Sequence, residues 1–360
     1  MKSLVFRVDS GLSIGSGHLM RCLTLAKNLS KSTKLKCIFV TRNHAGNFND
    51  LITLNGYKLM LLENLELDNK VNNLSKWLGA SQEVDAIQTQ TALKEMCLKS
   101  IDILVVDHYA IDINWEKKFR NIAKKLVVID DLANRLHCCD ILLDQNIAPN
   151  YLTRYDNLVP ISTKKFLGIS WCLLREDFLM AKRSIKPRSK LRNIAIFFGG
   201  VDEYNATLKL LNNLKRKLVV FNAVYVIVGQ SNPFKEEINW FCDKRDNCYY
   251  LEQVSNMAEI FSKSDLAIGA GGATTGERIF LGLPSIIFSL ADNQVKVSKY
   301  LHEKRYVTYL GDQSEIDKSN IISEIDKYIN SSELLKEQSL KLLSVGKSKL
   351  SQLVQEIASD

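Results

Sequence analysis

Proline is scarce in this chain of 360 residues, at 5, and glycine is modest at 17. A collagen-like or low-complexity chain is therefore excluded. No apolar run approaches the roughly 18 residues of a membrane-spanning helix. The start, MKSLVFRVDSG, has only a short apolar stretch that runs into Arg7 and Asp9. A secretory signal needs a longer one with a small-residue cleavage site, so a soluble, cytoplasmic protein without stable membrane association is expected. No Cys-x-x-Cys pair occurs among the eight cysteines, at 22, 37, 97, 138, 139, 172, 242 and 248. Cys138 and Cys139 are adjacent and poorly placed to share one metal, so reduced, mostly buried thiols are expected. Excess charge is also small: 48 Lys and Arg against 40 Asp and Glu give +8. That suits an anionic small molecule and does not call for nucleic acid.

What is present is an ordinary globular balance, 46% hydrophobic and 24% charged, over a length that suits two domains of roughly 100–200 residues. Short apolar, β-branched runs alternate with helix-length amphipathic stretches, the pattern of a parallel α/β sheet. Strands are expected at 4–8, 36–40, 57–62, 101–106, 126–129 and 141–143, with helices at 19–30, 83–99 and 114–125. A basic, Pro-containing break at 182–190 reads as an interdomain linker. Beyond it, strands are expected at 194–198, 219–228, 266–268, 285–288 and 306–310. Helices are expected there at 204–216, 234–243, 256–263, 275–282, 294–303 and 315–329. The predicted organisation is an N-terminal Rossmann-like domain over 1–185, a C-terminal one over 190–330, and a helical tail over 331–360 broken near Gly346.

Two segments that follow strands are rich in glycine, and open α/β sheets collect ligands at the carboxyl ends of their strands. The first runs RVDSGLSIGSGH from Arg7 to His18. Its glycines allow close backbone approach, and the free N–H groups of the next helix favour an anion. A Walker A loop is excluded: five residues rather than four separate Gly11 from Gly17, and His18 replaces the lysine. A dinucleotide fingerprint needs a third glycine where Met20 stands. Gly11 to Gly15 matches Gly-x-Ser-x-Gly, but that nucleophile elbow belongs after an inner strand with Asp and His downstream. His18 stands at a helix start, and imidazole near neutral pH can take a proton from water or a hydroxyl. Position alone does not separate that base from a histidine that bonds locally or touches phosphate.

The second segment, SDLAIGAGGATTGER, runs from Ser264 to Arg278. Amides after Gly271 and Gly272, with the hydroxyls of Thr274 and Thr275, can cradle a diphosphate. Glu277 can hold a ribose diol, although Thr274-x-x-Glu277 is equally a capping box. Downstream, Asn293 and Gln294 can read a base or sugar, or cap the next helix. Asp107, His108, Asp130 and Asp131 follow neighbouring strands and are ligand types for a hard cation, with helix capping as the competing reading.

These two turns, in this order, resemble the GT-B architecture of nucleotide-sugar enzymes. The second, with GGATT, Glu277, Gly282-Leu283-Pro284 and Gln294, is similar to the MurG-type UDP-binding motif. The first, FRVDSGLSIGSGHLMRCLTLA, resembles the start of the PseG family of UDP-2,4-diacetamido-2,4,6-trideoxy-β-L-altropyranose hydrolases. Matching segments continue through Trp77-Leu78-Gly79 with Gln82 and Asp85, Val106 to Tyr109, Ile129 to Asp131, Cys139 to Leu143, Leu173 to Phe178 and Phe198 to Asp202. The resemblance spans about residues 4–310. It departs at the residues before Gly15 and at Gly276, neither at an expected chemical group.

The resemblance implies a GT-B-like fold of two Rossmann-like α/β domains facing across a cleft. It implies a monomeric hydrolase whose small-molecule partner is a UDP-sugar, with no cofactor and no metal, in pseudaminic acid (nonulosonic acid) biosynthesis and flagellin glycosylation. His18 would activate water to cleave the C1–O bond with inversion, flanked by Asp9 and Arg21. Gly15 and Gly17 would line the substrate, Tyr109 would meet the sugar or an acetamido group, and Arg175 would meet phosphate. Gly271, Gly272, Thr274, Thr275 and Glu277 would hold the nucleotide, with Asn293 and Gln294 on the sugar or its phosphates. Without the resemblance, Arg175 reads as a salt-bridge residue and Tyr109 as a half-buried aromatic. The alternatives are a MurG-like UDP-sugar-dependent glycosyltransferase with an alcohol or lipid acceptor, and a non-catalytic UDP-sugar sensor.

Overall fold

Parallel strands covered by helices are buried on both faces and read as continuous apolar runs, which is why the strand signal in this sequence is strong. The computed structural model describes residues 2–32, 34–65, 73–317 and 320–359. They form two compact units: Met1–Gln145 with Asn150–Leu173 and Lys349–Asp360, and Asn146–Pro149 with Leu174–Ser348.

The first unit holds β1 (Lys2–Val8), β2 (Leu35–Arg42), β3 (Lys58–Leu62), β4 (Ile101–Asp107), β5 (Ala123–Ile129), β6 (Ile141–Asp144) and β7 (Lys164–Leu167). All pair in parallel in the order β3-β2-β1-β4-β5-β6-β7. Its core joins Val5, Ile38, Leu104 and Leu142 to Trp115 and Phe119, whose rings stack at 4.1 Å. The second unit holds β8 (Asn193–Phe197), β9 (Ala223–Val228), β10 (Cys248–Glu252), β11 (Leu266–Ala270), β12 (Ser285–Ser289) and β13 (Thr308–Asp312). Their order is β10-β9-β8-β11-β12-β13, again parallel. Ile194, Ile196, Leu210, Ile268 and Phe288 lie in its core. In each sheet the order reverses at the first strand, and that reversal is where such folds open a ligand crevice.

The structure corrects the expected elements in several places. β7 and β10 are absent from the sequence reading because both are edge strands. Lys164-Lys165 and Glu252 blunt the apolar signal there, as edge strands commonly do. The helix expected at 114–125 is confined to Ile113–Lys117, N-capped by Asp112. Residues 123–125 already belong to β5, where Ala123 pairs with Ile101. The strand expected at 219–228 starts only at Ala223, after a 3₁₀ turn at Leu218–Val220. In place of a helix over 315–329, the chain forms a 3₁₀ turn at Gln313–Glu315 and a helix at Ile321–Asn330. Residues 318 and 319 of that stretch lie outside the described residues.

The stretch 182–190 is not a solvated linker. Arg188 is buried, and its guanidinium donates to the carbonyls of Ser264, Phe261 and Leu281 while its N–H donates to Ser339 Oγ. Burial pulls its pKa down to about 10. Composition alone cannot tell an arginine in water from one that caps exposed carbonyls. The unit boundary accordingly falls at 173/174, and the C-terminal tail divides. Ser332–Val345 stays with the second unit, where Ser339 Oγ donates to Gly282 O at 2.7 Å. Leu350–Ala358 belongs to the first and packs on the helix Gly17–Ser32. Leu350, Leu353, Val354 and Ile357 are its buried face. Leu353→Ala should therefore destabilise the first unit by about 2–5 kcal/mol, measured as a lower urea midpoint; an unchanged midpoint would contradict this packing.

Candidate active site

The first Gly-rich turn is closed by its own backbone. Gly15 N–H donates to Gly11 O at 2.7 Å and Leu12 N–H to Ala45 O at 3.1 Å. Gly15 has φ +78°, a left-handed conformation that favours glycine. The helix starts at Gly17, so His18 lies in its first turn. Because β1 pairs with β4, with Val8 opposite Asp107, His18 meets the carboxyl end of β4. His18 Nδ1 lies 2.6 Å from Asp107 Oδ1. Arg21 Nε donates to Asp107 Oδ2 at 2.6 Å, its Nη2 to Oδ1 at 2.6 Å, and its Nη1 to Asp131 Oδ2 at 3.1 Å. Cys22 Sγ approaches Asp107 Oδ2 at 3.5 Å. Burial opposes ionisation of Asp107, but Arg21 and then His18 outweigh it and hold the carboxyl below the ordinary range. Burial pushes the Cys22 thiol up. The Tyr109 ring meets the His18 ring edge-on at 4.5 Å, and Trp77 stacks on Tyr109 at 5.8 Å.

Beside this cluster lies a second, fully buried one. Asp85 accepts from Arg7 Nε (3.0 Å) and Nη2 (2.6 Å), from Arg42 Nη2 (2.7 Å) and from Trp115 Nε1 (2.9 Å). Asp9 Oδ1 accepts from Arg7 Nη1 and the Arg42 N–H. His108 Nδ1 accepts the Ala110 N–H at 3.0 Å, and its Nε2 faces Asp9 Oδ2 at 3.3 Å. Burial lowers the His108 pKa. The expectation that Asp9 flanks His18 is thus corrected. Asp9 serves Arg7, Arg42 and His108, and Asp107 is the carboxylate on His18. Arg21 lies with His18.

The four cation-ligand candidates are also dispersed. Arg21 takes Asp107 and Asp131, while Arg135 and Tyr155 take Asp130 at 2.7 and 2.9 Å. Among the described residues, no group of three or more His, Cys, Asp or Glu is arranged to hold a metal ion.

In the second unit, β8 and β11 approach so closely that a Cβ on Gly269 would lie 1.9 Å from Phe197 O. The turn after β11 brings Gly271 against Ser298 and Gly272 near Gln294 Nε2. The capping box does not form: Ala273 occupies the cap position of the helix Thr274–Phe280, and Thr274 is already inside it. Glu277 turns instead to Arg175, with Oε1 3.4 Å from Nη2, while Oε2 is buried without a hydrogen-bond partner. Burial pushes the Glu277 pKa up to about 6, against the pull of Arg175. Thr275 Oγ1 accepts from Arg278 Nη2 at 2.9 Å. Gln294 Oε1 accepts the Leu290 N–H at 2.9 Å, and Asn293 is exposed and caps nothing.

The expected site residues therefore form two sets. Gly15, Gly17, His18 and Tyr109 lie in the first unit. Arg175, Gly271, Gly272, Thr274, Thr275, Glu277, Asn293 and Gln294 lie in the second. Arg175 was expected in the N-terminal domain, and its ion pair with Glu277 is the competing reading made for it from sequence. The sequence reading missed Asp107 as the partner of His18: its place at a strand end was legible, but the pairing of that strand with β1 was not.

Folding strengthens the hold of Glu277 on its proton. The associated stability is complete below about pH 4.5 and is lost as pH rises through about 6. Wild-type stability should fall over that window relative to Glu277→Gln, whose side chain stays neutral. Paired urea titrations at pH 4.5 and 7 check this, and parallel curves would refute it.

Residues 194–356 match the family model described as the glycosyltransferase family 28 C-terminal domain. An uncharacterized protein of Methanocaldococcus jannaschii is 27% identical over 288 residues, 78% of this chain; the chain spans about half, 54%, of that relative's length. The UDP-2,4-diacetamido-2,4,6-trideoxy-beta-L-altropyranose hydrolase of Campylobacter jejuni is 25% identical over 304 residues, 84% of this chain and 97% of that protein. The spore coat polysaccharide biosynthesis protein SpsG of Bacillus subtilis is 22% identical over 333 residues, 90% of this chain and 88% of its own. Among solved structures, Acinetobacter baumannii MurG aligns over 99% of both chains at a TM-score of 0.63 and 15% identity. The spinosyn rhamnosyltransferase SpnG complexed with thymidine diphosphate aligns over 100% of both at 0.61 and 14%. Two parallel Rossmann-like units and these structural likenesses make the fold GT-B, with residues 194–356 matching the glycosyltransferase family 28 C-terminal domain.

Proposed function

We propose that the protein hydrolyses UDP-2,4-diacetamido-2,4,6-trideoxy-β-L-altropyranose to UDP and the free 2,4-diacetamido sugar, as a monomeric cytoplasmic enzyme of pseudaminic acid biosynthesis. The observation that carries this reading is His18. It sits at the strand-order reversal of its sheet, Asp107 takes its Nδ1, and its Nε2 has no partner among the described residues. The similarity to the Campylobacter jejuni hydrolase supports this choice of substrate, and a nucleotide-bound structural neighbour is consistent with a diphosphate in such a fold.

In this reading His18 Nε2 takes a proton from water as the oxygen attacks C1 opposite the nucleotide. The C1–O bond breaks, UDP departs with the electron pair, and the configuration at C1 inverts. UDP leaves readily once its diphosphate charge is met. The backbone of Gly271 and Gly272, the hydroxyls of Thr274 and Thr275, and Arg175 would meet it, Arg175 giving up its contact with Glu277. Glu277 would take the ribose diol. In the first unit, Gly15 and Gly17 would contact the substrate and Tyr109 its sugar; in the second, Asn293 and Gln294 would contact the sugar or its phosphates. Neither a metal nor a cofactor has a step in this scheme.

A MurG-like glycosyltransferase is the second reading, favoured by the family 28 match and the fold likeness to MurG. Release of UDP without any acceptor separates the two. With excess chelator and no acceptor, wild type should release UDP from this substrate, and His18→Ala should be slower by about 10²–10⁴-fold while still binding UDP. Tight UDP binding by wild type with no release would sink the hydrolase reading and leave the transferase or a UDP-sugar sensor.

A further inference from the structure

We infer that Asp107 and Arg21 are a positioning pair that locks His18 in its Nδ1–H tautomer, so that Nε2 is the only ring nitrogen able to accept a proton. This rests on the reading of His18 as the base, but the tautomer can be observed without turnover.

Two contacts at Nδ1 compete. Asp107 Oδ1 is 2.6 Å away, and Arg21 Nη2 is 3.1 Å away. If Nδ1 carried a lone pair, Arg21 could donate to it, but two acceptors would then face each other at 2.6 Å. An ionised carboxylate offers only acceptor oxygens. A separation that short between N and O is a charge-assisted hydrogen bond, so the proton is on Nδ1. Arg21 and His18 are then two donors meeting on one oxygen.

The carboxylate has no freedom to yield. Asp107 is fully buried and Arg21 grips both of its oxygens in a planar fork, a geometry lysine cannot reproduce. Arg21 is held in turn by Asp131 at 3.1 Å. Tyr109 closes on the ring edge-on, limiting how far the imidazole can turn. Arg21 also offsets the charge of Asp107.

Asp107→Asn tests the inference. Arg21 would draw the Asn carbonyl oxygen to itself and leave the amide NH₂ facing His18, which favours the opposite tautomer. Long-range ¹H–¹⁵N spectra of ¹⁵N-histidine-labelled protein report which ring nitrogen is protonated, and His18→Ala identifies the signal among five histidines. Wild type should show His18 with a proton on Nδ1 and a bare Nε2, and Asp107→Asn should move the proton to Nε2. Against the UDP-sugar, Asp107→Asn should lose kcat by no more than His18→Ala does, about 10²–10⁴-fold, with little change in KM, and Arg21→Lys should lose less while keeping the tautomer. A wild-type ring protonated on Nε2 overturns the inference and needs no variant to fold. So does an Asp107→Asn protein with the wild-type tautomer and kcat. If the tautomer shifts as expected but wild type hydrolyses nothing, the positioning pair stands and the hydrolase reading falls.

Discussion

Each sheet reverses its strand order at its first strand, and the placement of chemistry in this protein follows from that constraint. β1 lies between β2 and β4, and β8 lies between β9 and β11. Chain leaving the two neighbours of such a point diverges, and the backbone there opens a crevice instead of packing shut. The two Gly-rich turns lie at these points, one after β1, the reversal strand of its sheet, and one after β11, which pairs with the reversal strand β8. The helix that begins at Gly17 carries His18 to the end of β4, where Asp107 stands. Strand pairing between residues about 100 apart thus brings the two together, although nothing local in the chain links them.

A crevice at strand ends exposes polar backbone and must be lined by polar groups. The first unit meets this with buried charge. Arg7 and Arg42 converge on Asp85, and Arg7 also holds Asp9. Arg21 converges on Asp107 and Asp131. Such pairs contribute little net stability against an apolar core of equal volume, yet removing one partner leaves an uncompensated buried charge. Their contribution is directional: each arginine fork fixes the angle of a carboxylate, and the carboxylate fixes what it touches. In the second unit the corresponding place holds Glu277, with one oxygen near Arg175 and the other without a hydrogen-bond partner. Its raised pKa reflects that incomplete compensation.

The central strands and the two glycine turns were legible because their signals are local. A parallel strand buried on both faces is a run of Val, Ile, Leu and Phe, and a tight turn before a helix needs glycine. Edge strands β7 and β10 were not legible, since one flank faces no neighbour and their residues are mixed. The helix expected to reach residue 125 stops near Lys117 because pairing of Ala123 with Ile101 outweighs helical periodicity. The capping box at Thr274 looked sound from spacing, but the helix begins one residue too early to use it.

The amino-acid sequence by itself determined the fold class, the positions of the two turns and the place of His18 at a helix start, because each depends on residues close together in the chain. Only the tertiary structure decided which carboxylate His18 meets, that Arg188 is buried, that Arg175 sits with Glu277, and that Leu350–Ala358 completes the first unit. Those outcomes depend on contacts between residues tens to hundreds of positions apart. Burial and pairing across such separations are set by the sheet order and by packing, and neither is written in the local pattern of side chains.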